Sequence, residues 1–123
     1  MPKSLRTSSS KNKFTAWSGD EAAEDCNVVG GVNILITPTG DFRLMRIAMA
    51  FDALVLPTVT IVQDNPAGAA WDQVLLDYTP LANIQDLSFF GGIGYEYSRG
   101  NAILIHITQV VANAHVSWKM EQI

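Results

Sequence analysis

The sequence predicts an all-β fold, an antiparallel β-sandwich that follows an extended N-terminal arm. Short apolar runs alternate with clusters of turn residues along most of the chain, which is the pattern of an all-β domain. Several runs also alternate apolar and polar residues with period two, as half-buried strands do. About eight such strands in roughly 95 residues fit two packed sheets better than a small barrel or a βαβ unit.

The composition is that of one globular domain. The chain has 123 residues, of which 48% are hydrophobic and 16% charged, so global disorder is excluded. No stretch reaches the roughly 18 uninterrupted apolar residues of a membrane helix. The net charge of −4 leaves the body without a cationic footprint for nucleic acid. We therefore expect neither nucleic acid nor a membrane among the partners.

Residues 1–27 are predicted to form the arm, and residues 28–123 the sandwich. The arm has few apolar residues, a basic start and an acidic block at 20–25, a composition that does not close a core. Two aromatic residues interrupt it, and aromatic rings anchor interfaces. We expect the arm to bind a neighbouring subunit or partner through these side chains: Lys3, Arg6, Lys11, Lys13, Phe14 and Trp17. A plain solvated tail is the alternative.

The first strands after the arm are bounded by strong turn signals. Residues 32–37 form an apolar run that ends at Pro38-Thr39-Gly40-Asp41. Residues 58–62 alternate, with Val59 and Ile61 on one face. The sequence Asp64-Asn65-Pro66-Ala67-Gly68 then closes this strand and predicts a tight turn.

The segment 42–54 between these two strands fits two structures. A strand would place Met45, Ile47, Met49 and Phe51 on one face, and a helix would place Leu44, Ile47, Ala48, Phe51 and Leu54 on one face. Periodicity does not decide between them. We favour a strand because the neighbouring segments are strands and Gly40-Asp41 suits a hairpin-type entry.

The remaining predicted strands cover residues 71–78, 86–90, 95–98, 102–109 and 114–120. The last two alternate most clearly. Ile103, Ile105 and Ile107 share one face, as do Val116, Trp118 and Met120 in the final strand. We expect these apolar sets to line the core, together with Trp71.

No group of residues indicates catalysis, so we expect a protein that is not an enzyme and needs no cofactor or metal ion. His106 and His115 lie on separate predicted strands without clustered acids, whereas a zinc site needs three or four ligands. Cys26 is the single cysteine, and its acidic neighbours disfavour the thiolate. The sequence Gly91-Gly92-Ile93-Gly94 lacks the lysine and the helix of a phosphate-binding loop, which indicates a simple turn.

From Phe42 to its end, the chain resembles a family of small virion proteins encoded by tailed bacteriophages. The resemblance follows the order of strands and turns rather than a catalytic signature. It rests on five segments: Thr58-Val59-Thr60-Ile61; Asp64-Asn65; Gly68-Ala69-Ala70-Trp71-Asp72-Gln73-Val74-Leu75-Leu76; Arg99-Gly100-Asn101-Ala102-Ile103; and Ala114-His115-Val116-Ser117-Trp118-Lys119-Met120. Residues 1–31 fall outside it.

The resemblance implies a jelly-roll β-sandwich that acts as a structural virion protein. We expect a capsid decoration or cement protein, a homotrimer that binds the major capsid protein on the outer capsid surface and stabilises it between capsomers. Its location would be the virion, after synthesis in the host cytoplasm. The alternative is a tail- or head-fibre binding module that contacts host surface glycans, where exposed Trp and Tyr rings would stack on sugars.

Overall fold

The computed structural model describes residues 12–14, 20–52, 56–89 and 95–123, and this part of the chain is nearly all β. The strands are β1 (Asn12–Phe14), β2 (Asp20–Asp25), β3 (Val32–Ile36), β4 (Phe42–Asp52), β5 (Val59–Asp64), β6 (Gln73–Tyr78), β7 (Ile84–Ser88), β8 (Glu96–Tyr97), β9 (Ala102–Ile107) and β10 (Asn113–Gln122). One short 3₁₀ turn, Ala69–Trp71, precedes β6. The predicted all-β class is confirmed.

The strands form two packed sheets with jelly-roll connectivity. Sheet I has the order β1-β3-β9-β5-β6, and sheet II has the order β2-β10-β4-β7 with β8 beside β4. Apart from the parallel pair β1 and β3, every pairing is antiparallel. Without the short β1 and β8, each sheet has four strands, and sequence neighbours mostly lie in opposite sheets. This is the eight-stranded double Greek-key arrangement of jelly rolls.

The core lies between the sheets, and the strand alternation predicts it well. Ile103, Ile105 and Ile107 of β9 are fully buried, and Val116, Trp118 and Met120 of β10 are buried opposite them. Burying each such side chain contributes roughly 1.5–3 kcal/mol. The faces predicted for β9 and β10 are therefore confirmed.

The ambiguous segment 42–54 is a strand through Asp52, with a bulge that explains its double periodicity. Lys119 of β10 pairs with Arg46 and the next residue, Met120, pairs with Leu44, so Met45 is the extra residue. Leu44 and Ile47 consequently both point into the core although they are three residues apart. This spacing imitates a helix face. Met45, which the strand pattern placed in the core, is only half-buried.

The segment predicted as arm contains two strands of the sandwich. β1 pairs with β3 in sheet I, and β2 pairs with β10 in sheet II. Cys26 follows β2 directly and is fully buried in the core. The acidic composition of β2 concealed it. Glu21 and Asp25 point to solvent from an outer face where charge is tolerated, whereas Glu24 lies on the inward side of the strand and is buried. Residues 20–27 therefore belong to the folded body.

Trp71 is not in the core, contrary to the prediction. The strand begins at Gln73, and Trp71 lies in the preceding 3₁₀ turn with 64% of its surface exposed. Trp71 is held outside the strand by a loop that Asp72 closes. The Asp72 Oδ1 accepts a hydrogen bond from the Asn65 backbone N at 2.7 Å. The Asn65 side chain in turn accepts from the Ala67 N. This closed loop confirms the predicted turn and leaves the indole outside the sandwich.

Candidate partner-binding surfaces

The predicted arm residues are only partly within the described structure. Lys13 and Phe14 lie in β1, where their backbones are in register with Leu35 and Ile36 of β3. Lys3, Arg6, Lys11 and Trp17 lie outside the described residues, as does the sequence Gly91-Gly92-Ile93-Gly94. The described residues nevertheless form three candidate partner-binding surfaces that were not predicted from the sequence.

The first surface is the outer face of sheet I, which is built in rows across the strands. Leu35, Leu104, Val62 and Val74 are successive partners on β3, β9, β5 and β6 and form an apolar row. A polar row lies beside it, in which His106 Nδ1 is 2.8 Å from Asn33 Oδ1. The polar row fixes the imidazole to a neighbouring strand.

The second surface is the edge where β6 and β7, the terminal strands of the two sheets, lie on the same side of the sandwich. We call this the β6–β7 edge. The Tyr78 hydroxyl of β6 donates a hydrogen bond to Gln85 Oε1 of β7 across it, at 3.2 Å. Four large apolar residues are exposed on or beside this edge: Trp71, Val74, Leu81 (98% exposed) and Ile84. Within the described part of the chain, no further strand pairs with the outer side of β6 or β7. A strand edge of this kind, rimmed by exposed apolar side chains, is typical of an interaction site.

The third surface is the outer face of sheet II, and one half of it is covered by ion pairs. Arg43 lies between two carboxylates, Glu96 at 2.6 Å and Glu121 at 3.2 Å. Arg46 binds Asp86 through two hydrogen bonds, and this lowers the pKa of the Asp86 carboxyl. The arginines of this half thus have their charges neutralised locally.

The other half of sheet II carries a groove. Two neighbouring rows cross β2, β10 and β4 on this outward face. One row consists of Asp25, Asn113 and Asp52, and the next consists of Ala23, His115 and Ala50. Together they line a cavity of about 540 Å³. His115 Nε2 is 3.3 Å from Glu21 Oε1. The groove escaped sequence reasoning because its lining comes from three segments distant in the chain.

The two histidines do not form a common site. His106 lies on the outer face of sheet I and His115 on the outer face of sheet II, so the core separates them. Among the residues that the structure describes, no group of three or more His, Cys, Asp or Glu side chains is arranged to hold a metal ion.

The Cys26 thiol is expected to be unreactive as a nucleophile. Burial, aided by the nearby charges of Asp25 and Glu24, raises the pKa of Cys26 from 9.0 to about 11. The expected direction is confirmed, although burial is a larger cause than the neighbouring carboxylates. A thiol that remains protonated at neutral pH is a poor nucleophile.

We expect Cys26 in the folded protein to react with a thiol reagent on the order of a hundredfold more slowly than in the urea-unfolded chain, because its thiolate fraction is lower by about that factor. Folding also favours the protonated thiol. This contribution to the free energy of unfolding is therefore present below pH 9.0 and is lost as the pH rises toward about 11. In the Cys26→Ala variant, the free energy of unfolding should therefore fall less steeply between pH 9.0 and about 11 than it does in the wild type. Equal reaction rates in the two states would contradict the assignment.

No protein-family model matches this chain, and no curated protein or solved structure is significantly similar to it. Within the described part, no helix is long and apolar enough to span a membrane.

Proposed function

We propose that this protein is a structural virion protein, a capsid decoration or cement subunit that binds the outer surface of the major capsid protein and stabilises it between capsomers. The observation that carries the proposal is a jelly-roll sandwich with an exposed apolar edge. Double-sheet jelly rolls recur in viral capsid and lectin domains. The resemblance of residues 42–123 to tailed-bacteriophage virion proteins supports the same assignment.

The β6–β7 edge is suited to protein contact. Leu81 and Ile84 present apolar surface to solvent, and Trp71 adds a large ring at the end of the same edge. Aromatic and aliphatic anchors of this kind dominate the energy of protein interfaces. In the proposed assembly, copies of the chain associate as a homotrimer, and exposed parts of this edge lie against the capsid.

In the proposed assembly, the positive charge of the N-terminal residues directs their contacts with the capsid. The chain has a net charge of −4, yet residues 1–13 contain Lys3, Arg6, Lys11 and Lys13 and no acid. A basic segment on an acidic body attracts an acidic neighbouring surface and accelerates its encounter. This separation of charge supports the role of the arm residues in attachment.

The decisive test uses heads from the phage that encodes this chain, prepared without it. Added protein should cosediment with these heads and raise the temperature at which they release DNA. Leu81→Asp should weaken binding about tenfold or more, because it places a charge at the contact. Val29→Asp is the matched control, since Val29 is also highly exposed but lies in the β2–β3 loop, away from the edge.

Failure of the wild-type protein to bind or stabilise heads would contradict the proposal, and equal binding by the two variants would contradict the role of the edge. Light scattering of the purified protein without heads should give the mass of three chains. The arm is best tested by replacing its basic residues with glutamine. Deleting residues 1–27 would also remove β2 and the buried Cys26.

The exposed indole of Trp71 favours a second candidate, a tail- or head-fibre module that binds host surface glycans. Its ring protrudes from a closed turn beside Asp72, and sugar faces stack on rings held in this way. Saturable binding to a glycan array that Trp71→Ala abolishes, with particle density on a fibre, would support this candidate over capsid decoration.

A further inference from the structure

The groove on the outer face of sheet II has features of a peptide-binding site. We infer that it binds an extended basic peptide segment, and that its occupant in the isolated protein is residues 1–11 of the same chain. This inference concerns the free subunit and does not depend on the proposed function.

The floor of the groove can accommodate an extended chain. Ala23 and Ala50 flank His115 on the neighbouring strands, and their small side chains leave an open depression of about 540 Å³ between larger neighbours. A second depression of about 560 Å³ continues past the ends of these strands and shares Asp25, Asp52 and Asn113 with the first. The methylene stems of lysine and arginine pack well on such an apolar floor while their charged ends reach a polar rim.

The charges of the groove complement those of the proposed occupant. Asp25 and Asp52 stand on either side of Asn113, both exposed. No cation of the described residues forms an ion pair with either carboxylate, and Arg43 and Arg46 are engaged at the other half of the face. Residues 1–11 contain three basic residues and no acidic residue.

The course of β1 directs the N-terminal segment toward this groove. β1 runs parallel to β3, and Asn12 is in register with Ile34, two residues after the first residue of β3. The chain before Asn12 therefore leaves sheet I at the end where β3 begins. The β2–β3 and β9–β10 connections lie at this same end, as does the row formed by Asp25, Asn113 and Asp52.

Reach and tethering favour the chain's own segment over that of another copy. Eleven extended residues span up to about 36 Å, which exceeds the width of the few strands to be crossed. A short tether also gives an effective concentration in the millimolar range. At micromolar protein, the segment of the same molecule therefore outcompetes that of a second copy free in solution.

The inference is tested by zero-length carbodiimide crosslinking of the full chain, followed by peptide mass spectrometry. Lys3 and Lys11 should form crosslinks to Asp25 and Asp52 about tenfold more often than to Asp41, a carboxylate at the opposite end of β4. Raising the ionic strength from about 0.05 M to about 0.5 M should reduce these crosslinks severalfold, because salt screens exposed charges. A mixture of ¹⁴N- and ¹⁵N-labelled protein should yield them within single molecules.

A second measurement uses a variant that changes only residues outside the described part of the chain. The triple variant Lys3→Gln, Arg6→Gln, Lys11→Gln should shift the amide resonances of Ala23, Ala50 and Asn113, and leave those of β5 and β6 unchanged. Crosslinks to Asp25 and Asp52 no more frequent than to Asp41, crosslinks only between differently labelled molecules, or unshifted groove resonances would each overturn the inference.

Discussion

Replacing Ile105 with alanine is expected to lower the free energy of unfolding by about 4 kcal/mol. Ile105 is fully buried in β9, the central strand of sheet I, and is in register with Ile34 and Ile61 on the two adjoining strands. The adjoining strands and the opposite sheet hold the neighbouring side chains in place, so they do not fill the volume that the shorter alanine side chain leaves empty. The cost therefore includes a cavity term as well as lost burial.

The matched control is Leu104→Ala, which removes a side chain of the same size from the opposite face of the same strand. Leu104 is only half-buried on the outer face of sheet I, so its replacement should cost about 1 kcal/mol. Urea unfolding followed by tryptophan fluorescence measures both, since Trp118 is buried in the core. Equal losses for the two variants would contradict the orientation of β9 and, with it, the position of the core.

Gly31→Ala is expected to lower the free energy of unfolding by about 3 kcal/mol or more. Gly31 has φ +77°, a region that L-residues with side chains rarely adopt, and an added Cβ would overlap the backbone oxygen of Ile107. A backbone oxygen cannot rotate away as a flexible side chain can. The β2–β3 loop would have to move, and with it the end of β2 that lines the groove.

Gly30→Ala separates this overlap from the effect of the dihedral angle. Gly30 also has a positive φ, +87°, but among the described residues no heavy atom beyond its two chain neighbours lies within 4 Å of the position of an added Cβ. Its replacement should cost only the left-handed conformation, about 1 kcal/mol. Thermal unfolding followed by circular dichroism compares the two. A Gly31→Ala protein as stable as Gly30→Ala would show that the loop does not pack against β9 as described.

The elements predicted most reliably are those in which local pattern and final environment agree. β9 alternates from Ile103 onward and β10 along most of its length, and both bury the expected faces, because a strand between two neighbours has one core side and one solvent side. The turn at residues 64–68 is equally local, since Asn65 organises it through its own side chain. The period-two pattern gave the wrong buried face only where a bulge adds one residue to a strand, as Met45 does in β4.

The surfaces were less predictable than the fold. The basic and aromatic residues of the arm are visible in the sequence because charge blocks are local features. The groove is not, because Asp25, Asp52 and Asn113 become neighbours only when β2, β4 and β10 pair. Trp71 was misplaced for a related reason, since a loop closed by Asp72 moves it out of the strand that its apolar character suggested.

By itself, the sequence determined an all-β domain with a basic, acid-free start, because alternation, turn residues and charge blocks act over a few residues. Only the tertiary structure decided that the acidic segment 20–25 is a strand of the sandwich, the edge strand of sheet II. The pairing of β2 with β10 stabilises that strand through backbone hydrogen bonds, which do not depend on side-chain hydropathy and so leave no signal in the composition.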